Sequence, residues 1–214
     1  MVHTHHGVYH PKKPGKIRVV FDCSARFRGT SLNDHLLQGP DQMNPLIGVL
    51  CQFRKENVAI MCDIERMFHR FRVNEDDRDY LRFLWWKDSD FDSKPATYRM
   101  KVHLFGAVSS PGCANYGLRQ LAKDDPQYGE KVVNFMSRNV YVEDGLESSQ
   151  EAIQLIKNFH NLYAEGNLRS HKFISNDRTT MESVPISERA KNVKDLDLYF
   201  SELPIEISGN RLVC

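Results

Sequence analysis

The feature that most constrains the fold of this 214-residue chain is a short apolar run that ends in acidic residues. The run Val58–Cys62 is nearly continuous apolar sequence, which predicts a strand buried on both faces. Asp63 follows directly, and Glu65 comes two residues later. Because a carboxylate at the end of a buried strand is costly unless it is paired, hydrogen-bonded or bound to a metal, Asp63 marks a candidate site.

Periodicity and capping signals predict the other elements of an α+β fold. They are a strand at Ile17–Phe21, a helix from Asn44-Pro45, a strand pair at Tyr80–Trp86 and Thr97–Val102, a helix from Ser110, a strand at Asn139–Val142, a helix capped by Ser149 and ended by Gly166, and a strand at Leu168–Ile174. From Val58 onward this is a βαββαβ order, the plan of ferredoxin-like folds. Residues 1–16, with four histidines, predict a solvated loop, and residues after Ser175 predict irregular structure.

The βαββαβ plan would bring Asp63 and the turn at Glu143-Asp144 to one edge of the sheet, because its first strand and its central hairpin are neighbours. Two groups of carboxylates at strand ends are what a two-metal phosphoryl-transfer site requires. The alternative is that these acids are ordinary surface turn residues, and the spacing alone leaves that alternative open.

Composition excludes several other classes of protein. The net charge of +1 gives no support for a stand-alone nucleic-acid binder, although the first thirty residues are locally basic. Five widely spaced cysteines without a Cys-x-x-Cys pair argue against a disulfide framework or a zinc knuckle and fit a reducing compartment. Without an apolar leader or a long apolar run, the sequence predicts an intracellular protein that does not span a membrane.

Several motifs in a fixed order carry a resemblance to a known family. They are HHGVYHPKKPGKIRVVFDCSA, SLNDHLLQGPD, MCDIERMFHRF, YLRFLWW, YRMKVHLFGAVSSPGCANYGL, YVEDGL and GNLRSHKFISN. Together they resemble the reverse transcriptase of Pao/BEL-type LTR retrotransposons, over roughly residues 3–206. The resemblance implies an RNA-directed DNA polymerase domain, in which two metal ions assist the transfer of dNTPs onto a primer paired with an RNA or DNA template.

The resemblance also implies an architecture of fingers plus palm, with the palm a ferredoxin-like βαββαβ sheet that carries helices on one face and with the thumb absent. The implied ranges are 1–57 for partial fingers, 58–74 for the first catalytic strand of the palm, 75–100 for a fingers/palm insertion, 101–176 for the palm, and 177–214 for a tail toward the missing thumb.

Particular residues match the functional positions of that family. The catalytic positions are Asp63, Glu143, Asp144 and Lys172, and two Mg²⁺ ions would be held by Asp63, the carbonyl of Ile64, Glu143 and Asp144. The substrate positions are Lys16, Arg18, Phe68, Phe105, Gly106 and Ser110. Lys16 and Arg18 would reach the triphosphate, Phe68 would exclude a ribose 2′-OH, and Lys172 would protonate the pyrophosphate. From spacing alone Phe68 could equally be a core residue, and the three cations could be solvated surface residues.

The hairpin motif departs from the family, because Glu143 stands where the family has aspartate. One added methylene moves the carboxylate by roughly 1–1.5 Å, and a misplacement of about 1 Å can cost about 10²-fold in rate. We therefore expect strongly reduced or absent Mg²⁺-dependent polymerisation, with Mn²⁺ better tolerated. The last residues also depart from the family's continuation, which predicts a truncated domain.

Two other functions stay open beside the polymerase. The first is a catalytically inactive, transposon-derived fragment with residual nucleic-acid binding. The second is an unrelated ferredoxin-like RNA-binding module, which would need exposed aromatic residues on its sheet in a defined pattern that the sequence lacks.

Overall fold

The structure is a computed structural model that describes residues 2–9, 15–40, 57–128, 132–133, 148–191, 207–208 and 211–212. The chain divides into two compact units, Met1–Gln42 with Arg66–Gln120 and Met43–Glu65 with Leu121–Cys214. The predicted helix from Asn44-Pro45, the predicted strand Asn139–Val142 and the Glu143-Asp144 turn lie outside the described residues. The ranges of fingers and palm therefore remain predictions.

The first unit contains two antiparallel hairpins and short helices. Its elements are β1 (His5–Tyr9), β2 (Ile17–Phe21), α1 (Met67–Arg70), a 3₁₀ helix (Glu75–Leu81), β4 (Arg82–Trp85), a 3₁₀ helix (Lys87–Ser89), β5 (Ala96–Arg99) and the start of α2 (Ser110–Asp124). Strand β1 pairs with β2, and β4 pairs with β5. The strand at Ile17–Phe21 and the helix from Ser110 confirm the sequence predictions. The predicted strand pair is also present, but β4 begins at Arg82 rather than Tyr80 and β5 ends at Arg99 rather than Val102.

The prediction of a solvated loop before residue 17 was wrong, because part of that segment is strand β1. His3 is 6% exposed, and its ring nitrogen Nε2 lies 2.5 Å from the carbonyl oxygen of Tyr80. The His5 ring packs against the ring of Phe21, with 5.5 Å between the ring centres. These histidines are fixed by partners that are distant in sequence, and local composition gives no sign of such partners.

A small apolar core holds the first unit together. Its buried members are Cys23, Leu32, Leu81, Leu104 and Ala107, with Phe21, Leu36, Val73 and Met100 packed against them. Burial, with a smaller effect of the Asp22 charge, raises the pKa of the Cys23 thiol to about 11. The core therefore holds this cysteine in its neutral, unreactive form.

The second unit pairs two strands that are far apart in sequence. Its elements are β3 (Ile60–Ile64), the end of α2, a 3₁₀ helix (Pro126–Tyr128), α3 (Ser149–Glu165), β6 (Ser170–Ser175), α4 (Arg178–Ser183), a 3₁₀ helix (Ile186–Glu188), β7 (Ile207–Ser208) and β8 (Arg211–Leu212). Strand β3 pairs antiparallel with β6, and β7 pairs with β8. The core of this unit is formed by Val58, Ile60, Ala152, Phe173 and Val184.

Several predicted boundaries of the second unit are confirmed and others are corrected. Helix α3 ends at Gly166 as predicted, but its N-cap is Ser148, whose hydroxyl accepts from the backbone N–H of Glu151. The irregular structure predicted after Ser175 was wrong, because α4 forms there with Asp177 as its N-cap. None of the described helices is both long enough and apolar enough to cross a membrane.

Candidate functional site

Asp63 lies inside β3 rather than after it, which corrects the predicted end of the strand. The ladder pairs Asp63 with His171 and Ile64 with Ser170 of β6. Side chains alternate along the strand, so Ile64 is buried while the Asp63 side chain is 54% exposed. The pairing of β3 with β6 thus holds the backbone of Asp63 in place while its side chain faces solvent.

The β3–β6 ladder carries a bulge beside Asp63. Met61 pairs with Ile174 and Asp63 pairs with His171, so Cys62 alone lies opposite both Lys172 and Phe173. Lys172 has a φ of 56°, in the left-handed region that favours glycine. A bulge re-aims the side chain of its extra residue. Here Phe173 remains in the core while Lys172 points out to solvent.

Two side chains of β6, Lys172 and His171, converge on the Asp63 carboxylate. Lys172 Nζ donates to Asp63 Oδ2 at 2.5 Å, and His171 Nε2 lies 3.4 Å from the same oxygen. Lys172 was implied by the family resemblance, whereas His171 was missed. Its contact depends on the register of β6 against β3, which no local motif specifies.

A second ion pair follows Asp63 along the same strands. Arg169 Nη1 lies 3.3 Å from Glu65 Oε2, and the Glu65 backbone N–H donates to the Arg169 carbonyl at 2.8 Å. An ion pair this exposed contributes about 0–1 kcal/mol. We infer that the backbone bond, more than the ion pair, keeps the two strands paired just beyond Asp63.

In the first unit, three predicted substrate residues lie in contact. The guanidinium carbon of Arg18 is 4.6 Å from the centre of the Phe105 ring, a cation–π contact. Phe68 meets the same ring edge to face, with 4.8 Å between the ring centres. Phe105 is 52% exposed and Phe68 is 9% exposed, so Phe105 is the accessible member of the aromatic pair. Lys16 is exposed immediately before β2.

The surroundings of Arg18 are positively charged. Burial lowers the pKa of His69, and the charges of Arg66 and Arg18 lower it further. Like charges held this close disfavour an additional proton and favour a bound anion. Arg66 has a φ of 53°, which is an uncommon conformation for a residue other than glycine.

The loop between residues 104 and 110 is shaped by the two other predicted substrate residues. Gly106 has a φ of 97°, and a Cβ atom there would lie 3.1 Å from the Phe21 carbonyl oxygen. Ser110 is 1% exposed, and its hydroxyl donates to the Leu104 carbonyl at 2.8 Å. Within the described residues, both therefore serve the packing of their own unit. Asn33, which was not predicted, also bonds this loop.

The donor chemistry around Asp63 fits a hard divalent cation. Asp63 offers carboxylate oxygens and Ile64 a carbonyl, and Mg²⁺ takes oxygen ligands of these kinds. The other predicted ligands, Glu143 and Asp144, lie outside the described residues. Among the described residues, no group of three or more His, Cys, Asp or Glu side chains could hold a metal ion.

The predicted site residues thus fall into two groups within the described part of the chain. Asp63, Ile64 and Lys172 belong to the second unit, and Lys16, Arg18, Phe68, Phe105, Gly106 and Ser110 belong to the first.

Comparison with known proteins gives a result for the fold. No protein-family model matches the chain, and no curated protein sequence matches it. A structure of the foamy viral protease–reverse transcriptase dRH in complex with double-stranded DNA is similar, with a TM-score of 0.59 and 16% identity over 79% of this chain and 26% of that chain. A selenomethionine-labelled CSH mutant of Prototype Foamy Virus protease–reverse transcriptase has a TM-score of 0.57 and 16% identity over 79% of this chain and 20% of that one.

The chain spans about a quarter or less of the length of these two solved structures. At this level of identity the likeness concerns the fold. The chain has a reverse-transcriptase-like fold, a mixed arrangement of helices and small antiparallel sheets.

Proposed function

We propose that the chain is an RNA-directed DNA polymerase domain, which adds deoxynucleotides to a primer on an RNA or DNA template. The observation that carries the proposal is the contact between Asp63 and Lys172, residues 109 positions apart in sequence. Nucleotidyl transfer needs a carboxylate that holds a cation and a group that supplies a proton, and these two side chains are suited to the two tasks. The reverse-transcriptase-like fold supports the same function.

The finer assignment is also a proposal. Residues 1–57 would form partial fingers, residues 75–100 a fingers/palm insertion, and residues 58–74 and 101–176 a palm with a ferredoxin-like sheet. The motif series favours an origin in a Pao/BEL-type retrotransposon. One of the similar structures holds double-stranded DNA, and this supports a primer–template duplex as the partner of this chain.

At the catalytic centre, we assign cation binding to Asp63, Glu143, Asp144 and the Ile64 carbonyl. Two Mg²⁺ ions, when bound, would activate the primer hydroxyl and neutralise charge on the phosphates. Asp63 is held by β3 with its side chain exposed, so its carboxylate would be available to hold a cation in place of the Lys172 contact. Lys172 would then be free to donate its Nζ proton to the departing pyrophosphate.

At the nucleotide end, Lys16 and Arg18 would bind the triphosphate, where a guanidinium can donate two parallel hydrogen bonds. Phe68 would limit the space beside the sugar and so favour deoxyribose. Phe105, Gly106 and Ser110 would support the nucleotide and template from the loop and the start of α2. The Arg66 and Arg18 charges, which after burial contribute to the lowered pKa of His69, support an anionic ligand near Arg18.

A second candidate is a catalytically inactive protein that still binds nucleic acid. The observation that favours it is Glu143, whose longer side chain would misplace a carboxylate at the metals. The two candidates share a binding surface and differ in turnover. Primer extension therefore separates them.

The test is primer extension on a poly(rA)–oligo(dT) hybrid in Mg²⁺ and in Mn²⁺, with the parent chain and the Glu143→Asp variant. We expect the parent to be weak in Mg²⁺ and better in Mn²⁺. Restoring aspartate should raise the Mg²⁺ rate by about 10²-fold, because it corrects a displacement of about 1 Å. Asp63→Asn in the Glu143→Asp background is the matched control and should abolish extension in both metals.

Extension that survives Asp63→Asn would contradict the assignment of Asp63. If neither the parent nor Glu143→Asp extends the primer in either metal, while both bind the hybrid, the inactive nucleic-acid-binding function is the correct one.

A further inference from the structure

Asn33 joins two segments of the first unit through both ends of its side-chain amide. Its Nδ2 donates to the Gly106 carbonyl at 3.0 Å and lies 3.1 Å from Ser24 Oγ. Its Oδ1 accepts from the Val108 backbone N–H at 3.0 Å. Its own backbone N–H donates to the Cys23 carbonyl at 3.1 Å, so the residue is anchored beside the core before its side chain reaches the loop.

The loop that Asn33 holds carries the exposed aromatic ring of the candidate nucleotide site. Phe105 directly precedes Gly106, and its ring lies under Arg18 and against Phe68. A Cβ atom at Gly106 would lie 3.1 Å from the Phe21 carbonyl oxygen, a tight contact, and the φ of 97° disfavours any L side chain there. The loop is therefore fixed by a close backbone contact on one side and by the Asn33 amide on the other.

Only an amide of this length satisfies both loop groups. Aspartate would keep the acceptor for Val108 but would place a second acceptor against the Gly106 carbonyl, and alanine would lose both bonds. Leaving a half-buried backbone group without a hydrogen-bond partner costs free energy. The loop would therefore move until that group bonds water or another partner. Such a movement would displace Phe105.

We propose that Asn33 is a positioning residue for the nucleotide site: by bonding Gly106 and Val108 it sets the place of the Phe105 ring and, through that ring, of Arg18 and Phe68. This inference rests on the proposed function, in which Arg18 binds the triphosphate and Phe68 limits the space beside the sugar. A change at Asn33 should therefore affect nucleotide affinity and sugar selectivity more than the chemical step.

The test compares Asn33→Ala and Asn33→Asp in the full chain, with Glu143→Asp present in every protein. Amide hydrogen exchange at Val108 measures the loop without any nucleotide. Steady-state extension with dTTP and with UTP gives kcat, KM and the preference between the two sugars, and equilibrium binding of labelled dTTP gives the affinity. Asn158→Ala, which removes a side-chain bond to the Tyr128 carbonyl in the second unit, is the matched control.

We expect Asn33→Ala to speed exchange at Val108 by about tenfold and to raise the KM for dTTP by a similar factor, as loss of a hydrogen bond of ordinary strength implies. The dTTP-over-UTP preference should fall while kcat changes little. Asn33→Asp should retain part of the Val108 protection and lie between parent and alanine. Asn158→Ala should leave these quantities at the parent values.

Two results would overturn the positioning role. The first is faster Val108 exchange in Asn33→Ala with KM, dTTP affinity and sugar preference all unchanged, and the second is unchanged exchange. Failure of the proposed function looks different: the Asn33-containing protein then neither binds dTTP nor extends a primer, whatever the exchange at Val108, and the positioning role is overturned with it.

Discussion

Lys172 combines an exposed charged side chain with a backbone conformation that glycine adopts most easily. Its φ of 56° lies in the left-handed region, and the β3–β6 bulge leaves it as the extra residue opposite Cys62. This conformation costs an L-residue about 1–2 kcal/mol. The same conformation brings the amine to Asp63, and strain of this kind is found at functional sites more often than elsewhere.

The strain predicts an inverted order of stability for two substitutions. Both Lys172→Gly and Lys172→Ala remove the amine, so both should lose activity. Glycine relieves the positive φ, and Lys172→Gly should be more stable than Lys172→Ala by about 1 kcal/mol. That difference corresponds to about 2–4 °C in the thermal unfolding midpoint.

The control for this prediction is Lys157, an exposed residue in the interior of helix α3. There alanine should be more stable than glycine by about 1 kcal/mol, because no positive φ offsets the greater flexibility of glycine. If alanine is the more stable residue at both positions, the backbone at Lys172 is not strained.

At the scale of elements, α4 shows how one side chain specifies a short helix. Asp177 Oδ2 accepts from the Thr180 backbone N–H at 2.7 Å and from the Thr180 hydroxyl at 2.6 Å. Thr180 is fully buried and Val184 belongs to the core, so the cap is tied to packing. The bond from the Thr180 hydroxyl, followed by the backbone bond, lowers the pKa of Asp177.

This cap gives a prediction with a pH dependence. Asp177→Ala should destabilise α4 by about 1 kcal/mol at neutral pH, because an N-cap bond is lost. Because the folded state lowers the Asp177 pKa, the stabilisation by the charged form is complete above the ordinary value of 3.8. It is lost as the pH falls from that value through the lower pKa of the folded state. Urea denaturation at pH values on both sides of 3.8 measures it.

Asp177→Asn separates the cap from the charge. Asparagine is as good an N-cap residue as aspartate, so most of the stability should remain. Its amide does not titrate, so the pH dependence assigned to this position should disappear. An unchanged pH dependence in the asparagine variant would mean that another group causes it.

Helix α4 also illustrates a part of the fold that could not be predicted from the sequence. Helices α2 and α3 have long apolar patterns, and the β4–β5 hairpin joins strands that are adjacent in sequence. Local signals were therefore sufficient to predict these elements. Helix α4 has only six residues, so its stability comes from the cap and from burial rather than from periodicity. Strand β1 depends on pairing with β2 and on the contacts of His3 with residues near 80.

The candidate site divides in the same way. The motifs named Asp63 and Lys172 as candidates, and these two residues lie in contact within the second unit. His171 was missed because the ladder register brings it to Asp63. Asn33, which we propose as a positioning residue, has no local signal because its loop partners lie 73 and 75 residues away. Contacts of this range are set by tertiary structure.

At the scale of the whole molecule, the net charge of +1 hides an uneven distribution within the first unit. Exposed basic side chains occur at Lys16, Arg18, Arg66, Arg70, Arg72 and Lys101, whereas acids concentrate at Glu75, Asp76, Asp77, Asp79, Asp88, Asp90 and Asp92. Arg99 pairs with Asp79, and Arg78 pairs with Glu75, so the second region is partly neutralised. The first set, called the basic region below, is the one that we expect to contact phosphate.

We therefore predict that binding of an RNA–DNA hybrid depends on the basic region and is strongly sensitive to salt. Each phosphate contact contributes about 0.9 to the slope of log K against log salt concentration. If Arg70 and Arg72 each contact a phosphate, the Arg70→Ala/Arg72→Ala variant should lower the slope by about 1.8 and weaken binding at every salt concentration. Fluorescence anisotropy with a labelled hybrid over a salt series measures both quantities.

The matched control is Lys87→Ala/Lys94→Ala, which removes the same charge from the loop of the same unit that carries Asp88, Asp90 and Asp92. If binding followed net charge alone, the two double variants would weaken it equally and change the slope by the same amount. If the phosphates contact the basic region, the lysine pair should have little effect, because the neighbouring carboxylates keep the duplex away from that loop. Equal losses in the two variants would therefore rule out a localised nucleic-acid surface, while leaving the assignments of Asp63 and Lys172 to the primer-extension result.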